Sequence, residues 1–187
     1  MSCFENIDVE DLDQCLNAEL QAGVSEVGVH YAIHKEIVTF PMPANFDDPA
    51  FTYEKAVEVN LPIVFAAGKG FGKIVIQSDT GEVLLEAGGN KGNKKLKSVF
   101  PFYVAGNDKK LLGFVRTRIN TPMLFCVTER NGQKRLIGDK FNPAYISEVK
   151  GTTGKGGEDD KGVQFTIESY CVPIVYESTL QFPVVTP

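Results

Sequence analysis

The sequence predicts a mainly β fold, an antiparallel β-sandwich or barrel with one short flanking α-helix. Two observations carry that expectation. Strand-like apolar stretches recur from Val24 onward, and turn chemistry separates them at intervals of about 8–12 residues. Many of the thirteen Phe and six Tyr fall inside those stretches, where large aromatic side chains are mostly core material. With 187 residues and 43% hydrophobic content, the chain suits a single structural domain over 1–187 with a sizeable core.

The helix is expected over residues 8–20, DVEDLDQCLNAEL. Asp8 can cap its start, Val9, Leu12, Leu16 and Leu20 fall near one face, and Gly23 supplies a stop. Acids crowded into the first turn suit the helix dipole. The strands follow: VGVHYAI (27–33), EIVTF (36–40), LPIVFAA (61–67), KIVIQS (73–78), EVLLEA (82–87), SVFPFYVA (98–105), LLGFVRTRI (111–119), MLFCVTE (123–129), KRLIG (134–138), VQFTIESY (163–170) and VPIVYES (172–178). In the first of these, Val27, Val29, Tyr31 and Ile33 share a side, which leaves His30 on the opposite face. Both His30 and His34 read as strand-surface residues. Asn131-Gly132, between LFCVTE and QKRLIG, is the strongest hairpin signal, because both residue types accept positive φ.

Three stretches break the strand pattern. PMPANFDDPAFTYE (41–54) has three prolines, so residues 1–55 read as a helix-plus-arm region. AGGNKGNKKLK (87–97) is built of Gly, Asn and Lys, and KGTTGKGGEDDKG (150–162) has five glycines, six charged residues and no hydrophobe. Neither stretch has apolar surface with which to offset its own ordering entropy, and long loops of this kind usually carry function.

Charge is strongly segregated within a net of −5. Residues 1–68 set two lysines against twelve acids (−10), 69–140 set fourteen cations against six acids (+8), and 141–187 set three lysines against six acids (−3). Such a swing can steer copies of one chain into head-to-tail contact. The basic middle lacks a regular aromatic platform, which argues against nucleic-acid binding.

Chemical motifs are missing. GKGFG (68–72) lacks the GxxxxGK[ST] spacing of a phosphate loop and continues into a strand, so it reads as a glycine turn. GGEDD (156–160) lacks the pattern of an EF-hand loop. The four cysteines share no CxxC spacing, and Cys126 and Cys171 sit in apolar runs as small core residues. Neither a GxSxG elbow nor an HExxH motif occurs, so no catalytic, cofactor-binding or metal-ligating residue is expected. No apolar run of about 18 residues marks a membrane span. The N-terminus lacks the basic and apolar regions of a secretory signal, and a protein of the cytoplasm is expected.

One resemblance rests on particular residues. From Gly113 to Tyr170 the chain joins the hairpin FCVTERNGQKRLIG, the step NPAYISEV, the charged glycine loop and the strand VQFTIESY. The order resembles the C-terminal half of the major tail or tail-tube structural proteins of bacteriophages and prophages, particularly those of Bacteroidetes hosts. The acidic Cys-containing segment, the AGV turn and VGVHYAI look like the opening of the same proteins.

That resemblance implies a virion subunit that forms stacked, hexameric rings, assembled in the host cytoplasm with other tail proteins. It implies a tube through which DNA passes without specific binding, and neither a cofactor nor a membrane. The candidate contacts between copies are Lys91, Lys94, Lys95 and Lys97 in one loop and Lys155, Glu158, Asp159 and Asp160 in the other. Two alternatives stand beside it: a β-sandwich module that binds carbohydrate or a cell surface, and, with less support, a small hydrolase built on paired carboxylates.

Overall fold

The computed structural model describes residues 22–183. The helix expected over 8–20, with Cys3 and Cys15, lies outside the described residues. What is described is mainly β, and its centre is β8 (Met123–Glu129), whose residues Met123 to Val127 are all fully buried. A strand buried on both faces reads as an unbroken apolar run, which is what MLFCV is.

Around β8 lies a six-stranded sheet ordered β3 (Glu58–Val59), β12 (Ile174–Tyr176), β9 (Lys134–Ile137), β8, β1 (Val24–Ile33) and β5 (Gly72–Ile74). Its pairings are antiparallel except β12 with β3. A second sheet of four strands is ordered β10 (Tyr145–Thr152), β11 (Gly162–Ser169), β7 (Lys95–Ala105) and β6 (Leu84–Gly88), all antiparallel. A two-stranded ribbon pairs β2 (Ile37–Thr39) with β4 (Val64–Phe65). The sheets stack as layers, and no barrel closes.

Two cores result. The larger fills the space between the six- and four-stranded sheets with Val29, Phe125, Val127 and Ile137 from one and Phe100, Phe102, Phe165 and Ile167 from the other. The register places Phe102 opposite Phe165, and their rings stack at 5.2 Å, with Phe100 stacked on Phe102 at 4.8 Å. Pro101 is tolerated inside β7 because it lies just past the end of the β6 pairing; its carbonyl accepts from the Glu82 N–H on that side, where no donor is demanded of the proline. On the far side of the six-stranded sheet, Ala32, Leu124, Cys126, Leu136 and Tyr176 pack with Ile63, Phe65 and Phe71. Burial pushes the Cys126 thiol up to about 12, so it behaves as a small apolar residue.

Several expectations are corrected. LLGFVRTRI is not a strand: Lys109–Arg118 form helix α1. The Asp108 carboxylate accepts from the Leu111 N–H at 2.8 Å and caps its start. Leu111, Phe114, Val115 and Ile119 then pack against the larger core at helical spacing. The Asn131-Gly132 hairpin forms where expected, but only Gly132 takes positive φ, at 90°. With the Glu129 N–H bonded to the Gln133 carbonyl, it is a three-residue loop with glycine in the left-handed position. NPAYISEV supplies β10, a full strand.

His30 does point away from Val29 and Tyr31, yet it is not on the surface. It is only 9% exposed, with the Phe182 ring edge-on at 5.5 Å. The segment carrying Phe182 is held by the GKGFG turn. The Phe71 N–H donates to the Gln181 carbonyl at 2.8 Å, and a Cβ on Gly70 would stand 2.4 Å from that same oxygen. Glycine is required there because two backbones touch. His34 is half-buried in the 3-10 turn His34–Glu36, where its Nε2–H donates to the Asp139 carbonyl at 3.0 Å.

Two predictions follow from these layers. Phe165→Ala removes the central ring of the larger core and should lower the unfolding free energy by about 3–5 kcal/mol, read from urea denaturation at unchanged m. Burial, with a smaller contribution from Lys73, holds the His30 imidazole below its ordinary pKa against a hydrogen bond to Gly28 that acts the other way. The neutral form is thus favoured in the folded state, and its contribution is complete above about pH 6.5 and is lost as pH falls toward the depressed value. The thermal midpoint should therefore drop between pH 7 and 5, and His30→Phe should flatten that slope.

Candidate assembly surfaces

The four-stranded sheet ends on open strands at both sides. Neither β10 nor β6 pairs on its outer side with another described strand. β10 has eight residues and β6 five, which is ample for a ladder of backbone hydrogen bonds with a second chain. Strand edges of this length are sites of association unless something blocks them.

The face turned away from the core is mixed, with Val99, Pro101 and Tyr103 beside charged residues that pair with one another. Lys97 sits between Glu168 at 3.2 Å and Glu86 at 3.4 Å, and the bond to Glu168, more than the others, raises its pKa. On β10, Lys150 pairs with Glu148 at 2.8 Å. Exposed pairs like these add little to stability. Their effect is on the field of that face, where each of these lysines is matched by a carboxylate.

The two loops singled out by sequence occupy opposite ends of this sheet. β7 begins at Lys95, opposite Gly88, and ends at Ala105, opposite Gly162. The tip at 89–94 and the loop at 153–161 are therefore separated by the length of an eleven-residue strand, roughly 33 Å at the usual rise.

Lys91 and Lys94 lie on the first tip, exposed and without an ion pair to a described residue, and Lys95 is exposed at the start of β7. Lys97 is different from the other three. It belongs to β7 and is committed to Glu86 and Glu168, so it is not free to reach a neighbour.

The second loop is exposed but locally built. The Asp159 Oδ2 accepts from the N–H groups of Lys155 and Gly156, each at 2.7 Å. Those bonds, Gly156 first, hold its carboxyl below the ordinary carboxylate range. Asp159 thus organises the loop, while Lys155, Glu158 and Asp160 are exposed around it. Asp160 lies close enough to add to the burial that raises the Tyr103 phenol.

A polar cluster near residues 138–142 resembles a catalytic grouping in composition only. Ser98 Oγ donates to the Cys171 carbonyl, Ser169 Oγ to the Asn142 carbonyl, and His34 to the Asp139 carbonyl. The Asp139 Oδ1 accepts from the N–H groups of Phe141 and Asn142 at 2.6 and 2.7 Å. The Cys171 thiol is pushed up, chiefly by burial. The two hydroxyls and the His34 ring donate to backbone oxygens and the Phe141 and Asn142 amides to the Asp139 carboxylate, and the result is a turn that presents Phe141 to solvent at 73% exposure. Among the described residues no group of three or more His, Cys, Asp or Glu could hold a metal ion. No described helix is long and apolar enough to cross a membrane.

Sequence reasoning missed one further surface. α1 and β5 flank a cleft of about 190 Å³ with Tyr31, Ile74, Val104, Leu111 and Phe114 in its walls and Lys73 and Lys110 beside them. The signal was present: Asp108 as a cap, then apolar residues at helical spacing between Lys109 and Arg118. No protein-family model, curated protein or solved structure matches the chain.

The Asp159 geometry makes a pH prediction. Its folded-state pKa is depressed, so its contribution is complete above the ordinary carboxylate pKa and is lost as pH falls through the lower folded value. Hydrogen-exchange protection of the Lys155 and Gly156 amides should persist on acidification to about pH 4 and be lost only below the ordinary carboxylate range, and Asp159→Ala should abolish it at neutral pH with the global unfolding midpoint little changed.

Proposed function

We propose that this protein is a self-assembling structural subunit of the tail-tube kind, forming stacked rings that enclose a conduit for DNA in a virion tail. The observation that carries the reading is the four-stranded sheet with both edges open, β10 on one side and β6 on the other. Pairing β10 of one copy with β6 of the next is a heterologous contact, and such contacts close into rings when the rotation between copies permits. Ring closure satisfies the exposed edges that a lone subunit leaves to solvent.

Two further features support the reading. Hairpin tips lie at opposite ends of the sheet, where contacts between one ring and the next would form, and their side chains differ: Lys91, Lys94 and Lys95 at one end, Glu158 and Asp160 among Lys155 and Lys161 at the other. The outward face of the sheet pairs Lys97 and Lys150 with carboxylates. A lumen of that kind releases DNA readily, because phosphate binding depends on free cations displacing counterions. Other tail proteins are then the partners at the two ends of the tube.

A second reading, a module that binds carbohydrate or a cell surface, is favoured by Phe141, Tyr145 and Tyr170. All are exposed near the end of the four-stranded sheet that bears the lysine tip. Binding of the isolated protein to a glycan array would select it.

Negative-stain microscopy and sedimentation velocity across a concentration series test the tube reading. Rings or tubes are the expected outcome, and a strictly monomeric protein at every concentration rejects it. Lys91→Glu/Lys94→Glu/Lys95→Glu should shorten or abolish tubes more at low salt than at high. Lys97→Glu should additionally lower the stability of the subunit itself, since it sets three carboxylates together.

A further inference from the structure

The cleft between α1 and β5 is apolar inside and basic at its rim. Tyr31, Ile74, Val104, Leu111 and Phe114 form its walls, and Lys73 and Lys110 stand beside them. Neither lysine has an ion pair with a described residue. The acid in the cleft, Asp108, is already tied to the Leu111 N–H as the helix cap. The space of about 190 Å³ suits one aromatic ring, since an apolar cavity of about 150 Å³ accepts benzene.

The chemical complement stands elsewhere on the same subunit. Between β2 and β3 the arm turns at Phe46-Asp47-Asp48. Phe46 leans on Phe51 with ring centres 5.2 Å apart and is 47% exposed. Asp47 and Asp48 are exposed beside it, and neither has an ion pair with a described residue. The arm's one lysine, Lys55, is committed to the Ala50 carbonyl at 2.8 Å. An aromatic knob followed by two carboxylates matches an apolar hole flanked by two lysines.

Knob and hole lie on opposite flanks of the subunit. The Ala44 N–H donates to the Lys55 carbonyl at 2.9 Å and closes the arm on itself. The Val175 N–H donates to the Val57 carbonyl at 2.7 Å and fixes the base of the arm to β12. β3, which follows, is the edge of the six-stranded sheet opposite β5. Edge to edge that sheet spans roughly 24 Å at the usual strand spacing, and no arm residue lines the cleft. Held this way, the tip meets a cleft only between copies, in a contact that repeats head to tail.

We propose that the α1–β5 cleft of one copy receives the arm tip of the next, with the Phe46 ring between its apolar walls and Asp47 and Asp48 facing Lys73 and Lys110. The proposal rests on the self-assembly reading and names a contact within it. Salt weakens the charged part of such a contact and spares the apolar part.

Zero-length carbodiimide cross-linking of the full chain tests it, on a mixture of ordinary and nitrogen-15-labelled protein analysed by mass spectrometry. Links from Asp47 or Asp48 to Lys73 or Lys110 should appear in mixed heavy–light pairs. Phe46→Ala should cut those links at least fivefold with the unfolding midpoint little changed, and Lys73→Glu/Lys110→Glu should remove them. Adding Asp47→Lys to the reversed cleft, with Asp48→Asn to keep the turn bond to Ala50, should restore mixed links with donor and acceptor exchanged. Assembly size in sedimentation velocity should fall and recover in step. Links confined to single copies, links from the tip to other lysines only, or links unchanged by Phe46→Ala would each overturn the proposal. Rings that form normally while the mixed links are missing reject this contact and leave the tube reading standing. Wild-type protein that never leaves the monomer rejects both.

Discussion

Every layer of this protein depends on β8 being buried from two sides at once. Met123, Phe125 and Val127 face the larger core, while Leu124 and Cys126 face the smaller. A strand of this kind tolerates no charge and no slip, because a one-residue shift would exchange the partners of every side chain on it. Each of its faces is closed by a different part of the chain. The four-stranded sheet covers one, and the ribbon of β2 and β4, the GKGFG turn and the segment around Phe182 cover the other.

That arrangement explains which parts of the fold could be read from sequence. Strands with a clear apolar run or alternation, such as MLFCVTE and VQFTIESY, fall close to where the pattern puts them, since burial and periodicity are local signals. LLGFVRTRI misleads because its apolar residues suit either period, and only Asp108 ahead of it, together with the core contacts of Leu111, Phe114 and Ile119, makes it a helix. His30 misleads for another reason. Its side of β1 was correct, but the cover over that side comes from Phe182, more than 150 residues away, and no window of sequence contains both.

The candidate surfaces show the same division. Composition marked both loops, and Lys91 and Lys94 are exposed on the first of them. It could not separate Lys97, which differs only in lying on β7 between two glutamates from neighbouring strands. Nor could it tell Asp159, which ties its own loop together, from Glu158 and Asp160 beside it. Those distinctions depend on backbone amides and cross-strand neighbours that become defined only when the chain is folded.

The placement of the two hairpins gives the subunit a direction. One extremity of the sheet bears lysines alone and the other a mixed loop of two lysines and three acids, with nothing that relates them by symmetry. Any stack made by repeating this unit has a head unlike its tail. The two terminal surfaces of such a stack would then differ in shape and charge, and a partner made for one would not fit the other.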